Sequence, residues 1–195
     1  MAAVINERGS VRPLVTDELN ARFPGSCRVQ VCTDGIPTVW VERDRLVELM
    51  QYVKQGIPKP YPLLFDRFAI DERLRTRREG QPASDFTVFY HLISIDRNED
   101  LRIKVALAES ACSLPSIVHV YAVANWYERE AFDMFGIDFT GHPNLRRILT
   151  PPHWEGHPLR KEHPARATEM DPFRMTNEFQ TAQQAFADIS QQADP

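Results

Sequence analysis

The chain has 195 residues, of which 43% are hydrophobic and 26% charged, and its formal net charge is -4 at pH 7. These values exclude a globally disordered chain and predict one domain with extensions. They also argue against nucleic acid as a partner, because phosphate binding needs a clear excess of lysine and arginine. Three cysteines are too few for an iron–sulfur cluster or a zinc ribbon, and no apolar run is long enough to predict a direct membrane span.

The first half of the chain predicts a helix, a hairpin and a second helix. TDELNARF begins with a candidate N-cap and has acids in its first turn, which predicts a short helix over residues 16–23. CRVQV and PTVWVE are β-branched runs separated by a Thr-Asp-Gly turn and predict a hairpin. Apolar residues then recur at helical spacing from Leu46 to Val53, until Gly56 and Pro58 end the pattern.

The second half predicts another hairpin and two further helices. FTVFYHLISI and LRIKVAL flank DRNED, which predicts the hairpin. Apolar residues at helical spacing favour a helix between Pro115 and Ala124. WYEREAFDMF predicts the next helix, with Asn125 and Glu128 as a capping box and Gly136 as a left-handed C-cap. The fold class is α+β: a small antiparallel or mixed sheet with helices on one face and an extended C-terminal arm.

Charged residues on the WYEREAFDMF helix have two interpretations. Glu130 and Asp133 lie near Trp126 at helical spacing and could act as an acid–base pair, which would need a cleft. Alternatively, the charges form ion pairs that orient the helix, with Arg129 pairing with Asp133 four residues later. We favour the second interpretation for Glu128, Arg129, Glu130 and Asp133.

Histidines cluster in the segment that follows this helix. His153 and His157 have the spacing of two zinc ligands on one helix face. Pro151 and Pro152 precede the pair and Pro158 follows His157, so the two side chains are not expected to share a helix. A small metal-dependent hydrolase that uses this cluster is therefore a minor alternative, and no metal ligand is predicted.

The segment 141–170 is predicted to form an extended strap. His142 and His157 each stand before a proline, Pro143 and Pro158, and the residue before proline favours extended backbone. An extended strap cannot satisfy its own backbone groups, so we expect it to lie across a neighbouring protein; the alternative is that it packs on its own domain. The planar guanidinium group of arginine suits bidentate pairing with carboxylates of a partner, and tryptophan is enriched at interface hot spots. The predicted contact residues are Arg146, Arg147, Trp154, Gly156, Arg160 and Lys161.

The strap divides the chain into three predicted regions. Residues 1–140 form the α+β domain, 141–170 the strap, and 171–195 a tail. The tail repeats apolar residues at three and four positions from Phe179 to Ile189, which is typical of a docking helix or linker, with disorder as the alternative.

The segment NWYEREAFDMFGIDFTGHPNLRRILTPPHWEGHPLRK resembles the signature of the 30 kDa subunit, also called the C subunit, of proton-pumping NADH:quinone oxidoreductase, respiratory complex I. LFDRFAIDERLRTRREG and FTVFYHLISIDRN are similar to the proteobacterial form of this protein. The continuation PARATEMDPF resembles the form in which it is fused to the quinone-site protein as one C/D polypeptide. The candidate residues that match the signature are Glu128, Arg129, Glu130, Asp133, Gly136, His142, Pro143, Arg146, Arg147, Trp154, Gly156, His157, Pro158, Arg160 and Lys161.

The resemblance implies a non-redox member of the peripheral arm that supports electron transfer from NADH to quinone coupled to proton translocation. Its partners would be the quinone-site protein, which is the D subunit, and the neighbouring iron–sulfur proteins, of which B, I and G are favoured. FMN, iron–sulfur clusters and quinone would belong to other subunits, and none to this chain. The expected location is the cytoplasmic face of the bacterial inner membrane. An N-terminal-type domain of a related membrane-bound hydrogenase is the closest alternative.

Overall fold

The structure is a computed structural model that describes residues 4–5, 11–12, 15–76 and 80–163. The described residues belong to one compact unit that ends at His163. The predicted tail, and the strap beyond His163, lie outside the described residues, so the division of the chain at residues 140 and 170 stays a prediction.

Twelve helices and strands follow one another in this part of the chain, together with shorter turns of helix. In chain order they are β1 (Val4–Ile5), β2 (Val11–Arg12), α1 (Val15–Arg22), β3 (Cys27–Gln30), β4 (Thr38–Val41), α2 (Leu46–Gln51), β5 (Leu63–Asp71), β6 (Phe86–Ser94), β7 (Glu99–Leu107), β8 (Ser113–Pro115), α3 (Ala124–Phe135) and β9 (Asp138–Thr140). A 3₁₀ turn (Arg43–Arg45) precedes α2, a π-helical turn (Tyr52–Gly56) follows it, and another 3₁₀ turn covers Glu109–Ala111. None of the helices in this part is long and apolar enough to cross a bilayer.

The central element is a five-stranded sheet with the order β3-β4-β7-β6-β5. The pair β4–β7 is parallel and the other neighbours are antiparallel, so the sheet is mixed. Two small sheets accompany it, β1 with β2 and β8 with β9. The predicted α+β class is confirmed.

One face of the sheet meets the helices and forms the core. Alternate residues of β6, including Val88 and Tyr90, point to this face because side chains alternate along a strand. They share one buried cluster with Leu19 of α1, Leu49 of α2 and Ala131 of α3. Fully burying an aliphatic side chain of this size contributes roughly 1.5–3 kcal/mol, so this face fixes where α3 lies.

Both predicted hairpins are confirmed, as β3–β4 and β6–β7. The prediction of a helix between Pro115 and Ala124 is wrong. Those residues form turns, in which the N–H groups of Val120 and Tyr121 donate to the carbonyl of Ile117. Strand β5 was not predicted, because its core-facing position Arg67 is charged and its outward position Phe68 is apolar, which inverts the expected alternation.

Candidate interaction surface

Helix α3 is the element to which the strap attaches. It ends at Gly136, whose φ of 69° is the left-handed conformation that glycine adopts without strain, and the Gly136 N–H donates to the Phe132 carbonyl over 2.9 Å. The predicted C-cap is confirmed. The predicted capping box is wrong, because the helix begins after Val123 and no side chain caps its first turn.

Glu128 is buried and connects α3 to the loop that precedes it. Its carboxylate accepts hydrogen bonds from the Ser116 hydroxyl at 2.7 Å and from the Ile117 N–H at 2.8 Å. Burial raises the pKa of Glu128, although these hydrogen bonds and the positive charge of Arg67 oppose the rise. The buried guanidinium of Arg67 donates to the Tyr127 carbonyl over 2.7 Å. Both charged groups therefore orient α3 against the preceding loop and β5.

Asp133, in the last turn of α3, binds the backbone of the strap. Its side chain is buried, and its Oδ2 atom accepts the N–H groups of Ile148, Leu149 and Thr150 at 2.9, 2.8 and 2.9 Å. Its Oδ1 atom accepts Nη1 of Arg147 at 2.7 Å. Burial alone would raise the pKa of Asp133, but the hydrogen bonds from Thr150, Arg147 and Ile148 hold that pKa well below its usual range. The carboxylate therefore remains ionised and holds three successive strap residues.

The predicted ion pair between Arg129 and Asp133 is wrong. Arg129 instead donates to two strap carbonyls, those of Arg146 at 3.2 Å and Arg147 at 3.3 Å, and its guanidinium lies 5.4 Å from the ring centroid of Trp126. Glu130 is exposed and Asp133 is buried, so these two carboxylates do not form one acid–base surface. Of these charges, Asp133 forms an ion pair, with Arg147 of the strap, while Arg129 binds backbone carbonyls and Glu128 binds a hydroxyl and a backbone N–H.

A histidine of the strap packs on the glycine that ends α3. Nδ1 of His157 lies 2.9 Å from the Asp133 carbonyl. A Cβ atom at Gly136 would stand 2.5 Å from Nε2 of His157, so only glycine leaves space for the ring. Nearby, the Leu159 N–H donates to the Met134 carbonyl over 3.0 Å and Nη2 of Arg147 donates to the Gly156 carbonyl over 2.8 Å. This stretch of the strap therefore follows the C-terminal end of α3.

A second buried aspartate, Asp71 at the end of β5, holds the last described residues. It accepts the Lys161 N–H at 2.9 Å and Nε of Arg73 at 3.0 Å. Burial would raise the pKa of Asp71, but the hydrogen bonds from Arg73 and Lys161 lower that pKa to about 2. Arg73 also pairs with Glu109 and Glu162, and Arg160 donates through Nε to the Phe135 carbonyl over 2.6 Å.

The prediction that the strap finds its backbone partners on another polypeptide is wrong for the N–H groups of Ile148, Leu149, Thr150, Leu159 and Lys161, because the domain itself supplies their acceptors. Arg147 and Arg160 pair within the chain rather than with partner acids. The strap also follows turns, such as the hydrogen bonds from Trp154 N–H to the Pro151 carbonyl and from Arg160 N–H to the His157 carbonyl, so it is not extended there.

Other strap side chains point outwards. The exposed positions on the strap and on the adjoining face of α3 include Trp126, Glu130, Pro143, Arg146, Leu149, Gly156, Leu159 and Lys161. Trp154 is half-buried and its ring centroid lies 6.1 Å from that of His163. We call Trp126, Arg146, Leu149, Leu159 and Lys161 the strap surface.

The histidines are not brought together as a metal site. Nε2 of His142 lies 3.3 Å from the Asn125 carbonyl, and His157 contacts Asp133, so two of the four contact α3 separately. Across residues 15–76 and 80–163, no group of three or more histidine, cysteine or acidic side chains is placed to hold a metal ion.

Comparison with known proteins identifies the family of the chain. The sequence model of the respiratory-chain NADH dehydrogenase 30 kDa subunit matches residues 39–169. A C/D-type NADH-quinone oxidoreductase subunit of Klebsiella pneumoniae is 58% identical over 163 residues, which are 83% of this chain and 27% of that protein. The corresponding protein of Methylococcus capsulatus is 53% identical over 185 residues, which are 94% of this chain and 31% of that protein. The chain thus spans less than a third of the length of these relatives.

Two solved structures share the fold. A trypsin-resistant fragment of Nqo5 superposes with a TM-score of 0.58 and 26% identity, over 67% of this chain and 96% of the fragment. A chain of an archaeal membrane-bound sulfane sulfur reductase superposes with a TM-score of 0.62 and 20% identity, over 84% and 95% of the two chains. The second likeness shows the fold alone.

Proposed function

The chain belongs to the family of the 30 kDa subunit of respiratory-chain NADH dehydrogenase, and from this premise we propose that it is a non-redox member of the peripheral arm of complex I. In that role it holds the quinone-site module while NADH is oxidised and quinone reduced in neighbouring subunits. FMN, iron–sulfur clusters and quinone are assigned to those neighbours. The chain has three cysteines, fewer than the four thiolates that hold an all-cysteine iron–sulfur cluster.

The strap surface is the proposed contact with the quinone-site protein and with the iron–sulfur proteins beside it. The observation that supports it most directly is the division of the strap into two sides. Asp133 and Asp71 hold its backbone on the domain, while Arg146, Leu149 and Lys161 stay exposed. A strap held in this way presents its cations and apolar side chains in a fixed position, which lowers the entropy cost of binding. The site of assembly is proposed to be the cytoplasmic face of the bacterial inner membrane.

The alternatives have less support. The hydrogenase-type domain is the weaker candidate, because relatives 53–58% identical to this chain are NADH-quinone oxidoreductase subunits. The hydrolase hypothesis would need converging ligands, and His142 and His157 instead contact separate carbonyls of α3.

The test replaces two residues of the strap surface together, Leu149→Asp with Arg146→Ala. Both side chains are exposed, so the folded chain should keep its urea midpoint. We expect the amount of assembled peripheral arm, measured by native electrophoresis of host membranes, to fall by about tenfold, as for loss of an interface hot spot. The matched control is Val31→Asp, at a position 96% exposed on the β3–β4 turn. Normal assembly of the double variant would overturn the proposal.

A further inference from the structure

A second surface lies on the face of the central sheet opposite to the helices. Strand register places Leu63 beside Ile93, and Phe68 beside Phe89, on this outer face. The Phe68 and Phe89 rings stack with centroids 4.5 Å apart. Phe65, 62% exposed, stands at an irregularity in the β5–β6 pairing, and its ring centroid lies 5.6 Å from that of His91. We call Leu63, Phe65, Phe68 and Ile93 the sheet patch.

Among the described residues, one half of the outer face is covered and the other half is open. On the β4–β7 side, Pro82 and Ser84 line a cleft of about 300 Å³ together with Trp40, Lys104 and Phe89, and those three residues are buried. On the β5–β6 side, Leu63, Phe65 and Phe68 remain exposed. Contiguous exposed apolar side chains of this kind mark interaction sites in soluble proteins.

Two acidic side chains border the patch, and the basic side chains on the same face already have partners: Arg102, beside His91, pairs with Asp34, and Lys104, over the Phe89 ring, donates to Gln30. Asp66 lies next to His91 in the register, and Asp100 lies next to Ile93, so both carboxylates border the exposed rings. Asp100 contacts His91 over 3.1 Å, and Asp66 accepts the N–H of Arg67. Within the described ranges, neither carboxylate is bonded to a lysine or arginine side chain. A partner that carries basic residues is therefore favoured at this edge.

The edge of β5 is poorly suited to pairing with an added strand. The pairing shifts between Leu64 and Asp66, and bulges of this kind disrupt the ladder. In addition, the carbonyl of Phe65 already accepts the Tyr127 hydroxyl at 2.9 Å. A partner would therefore lie on the face of the sheet and contact it through side chains, as a helix does.

We propose that the sheet patch binds a basic amphipathic helix of another protein in the assembly. The helix would place an apolar stripe over Phe65 and Phe68, and lysine or arginine side chains beside Asp66 and Asp100. This inference rests on the proposed function for the existence of the assembly, but it uses a surface separate from the strap surface.

The test places a photo-reactive benzoylphenylalanine at position 65, 149 or 31 in the full chain within the assembled complex. Position 65 tests the sheet patch, position 149 the strap surface, and position 31 is the exposed control. We expect position 65 to cross-link to one segment of another protein with apolar residues at helical spacing and flanking lysine or arginine. The double variant Asp66→Asn with Asp100→Asn should lower that yield by about threefold, which corresponds to loss of two rim charge contacts. Asp44→Asn with Asp138→Asn, two exposed acids elsewhere, should leave it unchanged.

The outcomes separate the two proposals. Cross-linking from position 149 without cross-linking from position 65 overturns the sheet patch and leaves the proposed function standing. A cross-link from position 65 to an acidic segment, to a strand or to a second copy of this chain also overturns it. Loss of cross-links from both positions contradicts both proposals.

Discussion

The central sheet and the strap are stabilised in different ways. The sheet has continuous ladders, and alternate residues of β6 and β7 are buried in one apolar cluster, so its stability is distributed over many side chains. The strap has no regular element between residues 141 and 163, and two buried carboxylates accept several of the hydrogen bonds that attach it. Substitution of one of these carboxylates should therefore destabilise the strap more than substitution of one core residue destabilises the sheet.

The greater expected sensitivity of the strap to a single substitution has a physical basis. Burying a carboxylate costs free energy unless several donors satisfy it, and Asp133 accepts from three backbone N–H groups and one guanidinium. Removal of that acceptor leaves buried donors without a partner, which costs more than the loss of one average hydrogen bond.

The largest expected effect is that of Asp133→Asn. The amide offers one acceptor oxygen in place of two and no charge, so we expect a loss of about 3 kcal/mol in the free energy of unfolding. Trypsin should then cut after Arg146 or Arg147 under conditions in which the unchanged chain resists cleavage. Urea unfolding and limited proteolysis measure the two effects. The control is Glu130→Gln, an exposed acid on the same helix, with an expected change under about 0.5 kcal/mol. Equal effects of the two variants would contradict the assignment.

Acid pH should weaken the second attachment. The pKa of Asp71 is lowered from 3.8 to about 2 in the folded chain, so its contribution is complete above the unfolded value and is lost as the pH falls through about 2. The lowered pKa of Asp71 corresponds to roughly 2 kcal/mol in the free energy of unfolding. The unchanged chain should therefore exceed Asp71→Asn in stability by this amount above pH 4, and the two curves should converge towards pH 2. Chemical denaturation across this range measures the difference, and parallel curves would rule out the ionised pair.

A smaller difference in stability should distinguish backbone strain at Gly136 from the contact of this residue with the strap. Gly136→Ala places an alanine at positive φ and a Cβ against His157, whereas Gly141→Ala, at φ 82°, meets no atom within 4 Å. Both variants incur about 1–2 kcal/mol of conformational strain. Only Gly136→Ala should lose about 1 kcal/mol more, and only there should His157→Ala relieve part of the loss. Thermal unfolding of the three single variants, and of His157→Ala combined with each glycine variant, tests this, and equal losses at both glycines would exclude the packing of His157 on Gly136.

The regular elements were largely predictable because they depend on local patterns. The alternation of LRIKVAL and the glycine that follows WYEREAFDMF are visible within a few residues, and β7 and the C-cap of α3 were predicted from them. The segment 117–123 has helical spacing as well, but the Val120 carbonyl, which a helix would pair with the Ala124 N–H, accepts from the Lys54 ammonium, and the Ala124 N–H donates to the Tyr121 carbonyl, as in a turn.

The attachment of the strap was not predictable from spacing. The partners of Asp133 lie 14 to 17 residues away, whereas helical spacing suggests Arg129. One signal was present: an acid in the last turn of a helix opposes the helix dipole, which indicates that another contact compensates. The roles of Arg67 and Asp71 had no comparable signal, because both depend on the position of β5.

Hydrogen–deuterium exchange of the isolated chain tests the attachment of the strap most directly. We predict slow exchange at the amides of Ile148, Leu149, Thr150 and Lys161, whose N–H groups bind Asp133 and Asp71, and fast exchange at the first three in Asp133→Asn. Fast exchange at these amides in the unchanged chain would show that the domain does not hold the strap, and would contradict the attachment through the two carboxylates.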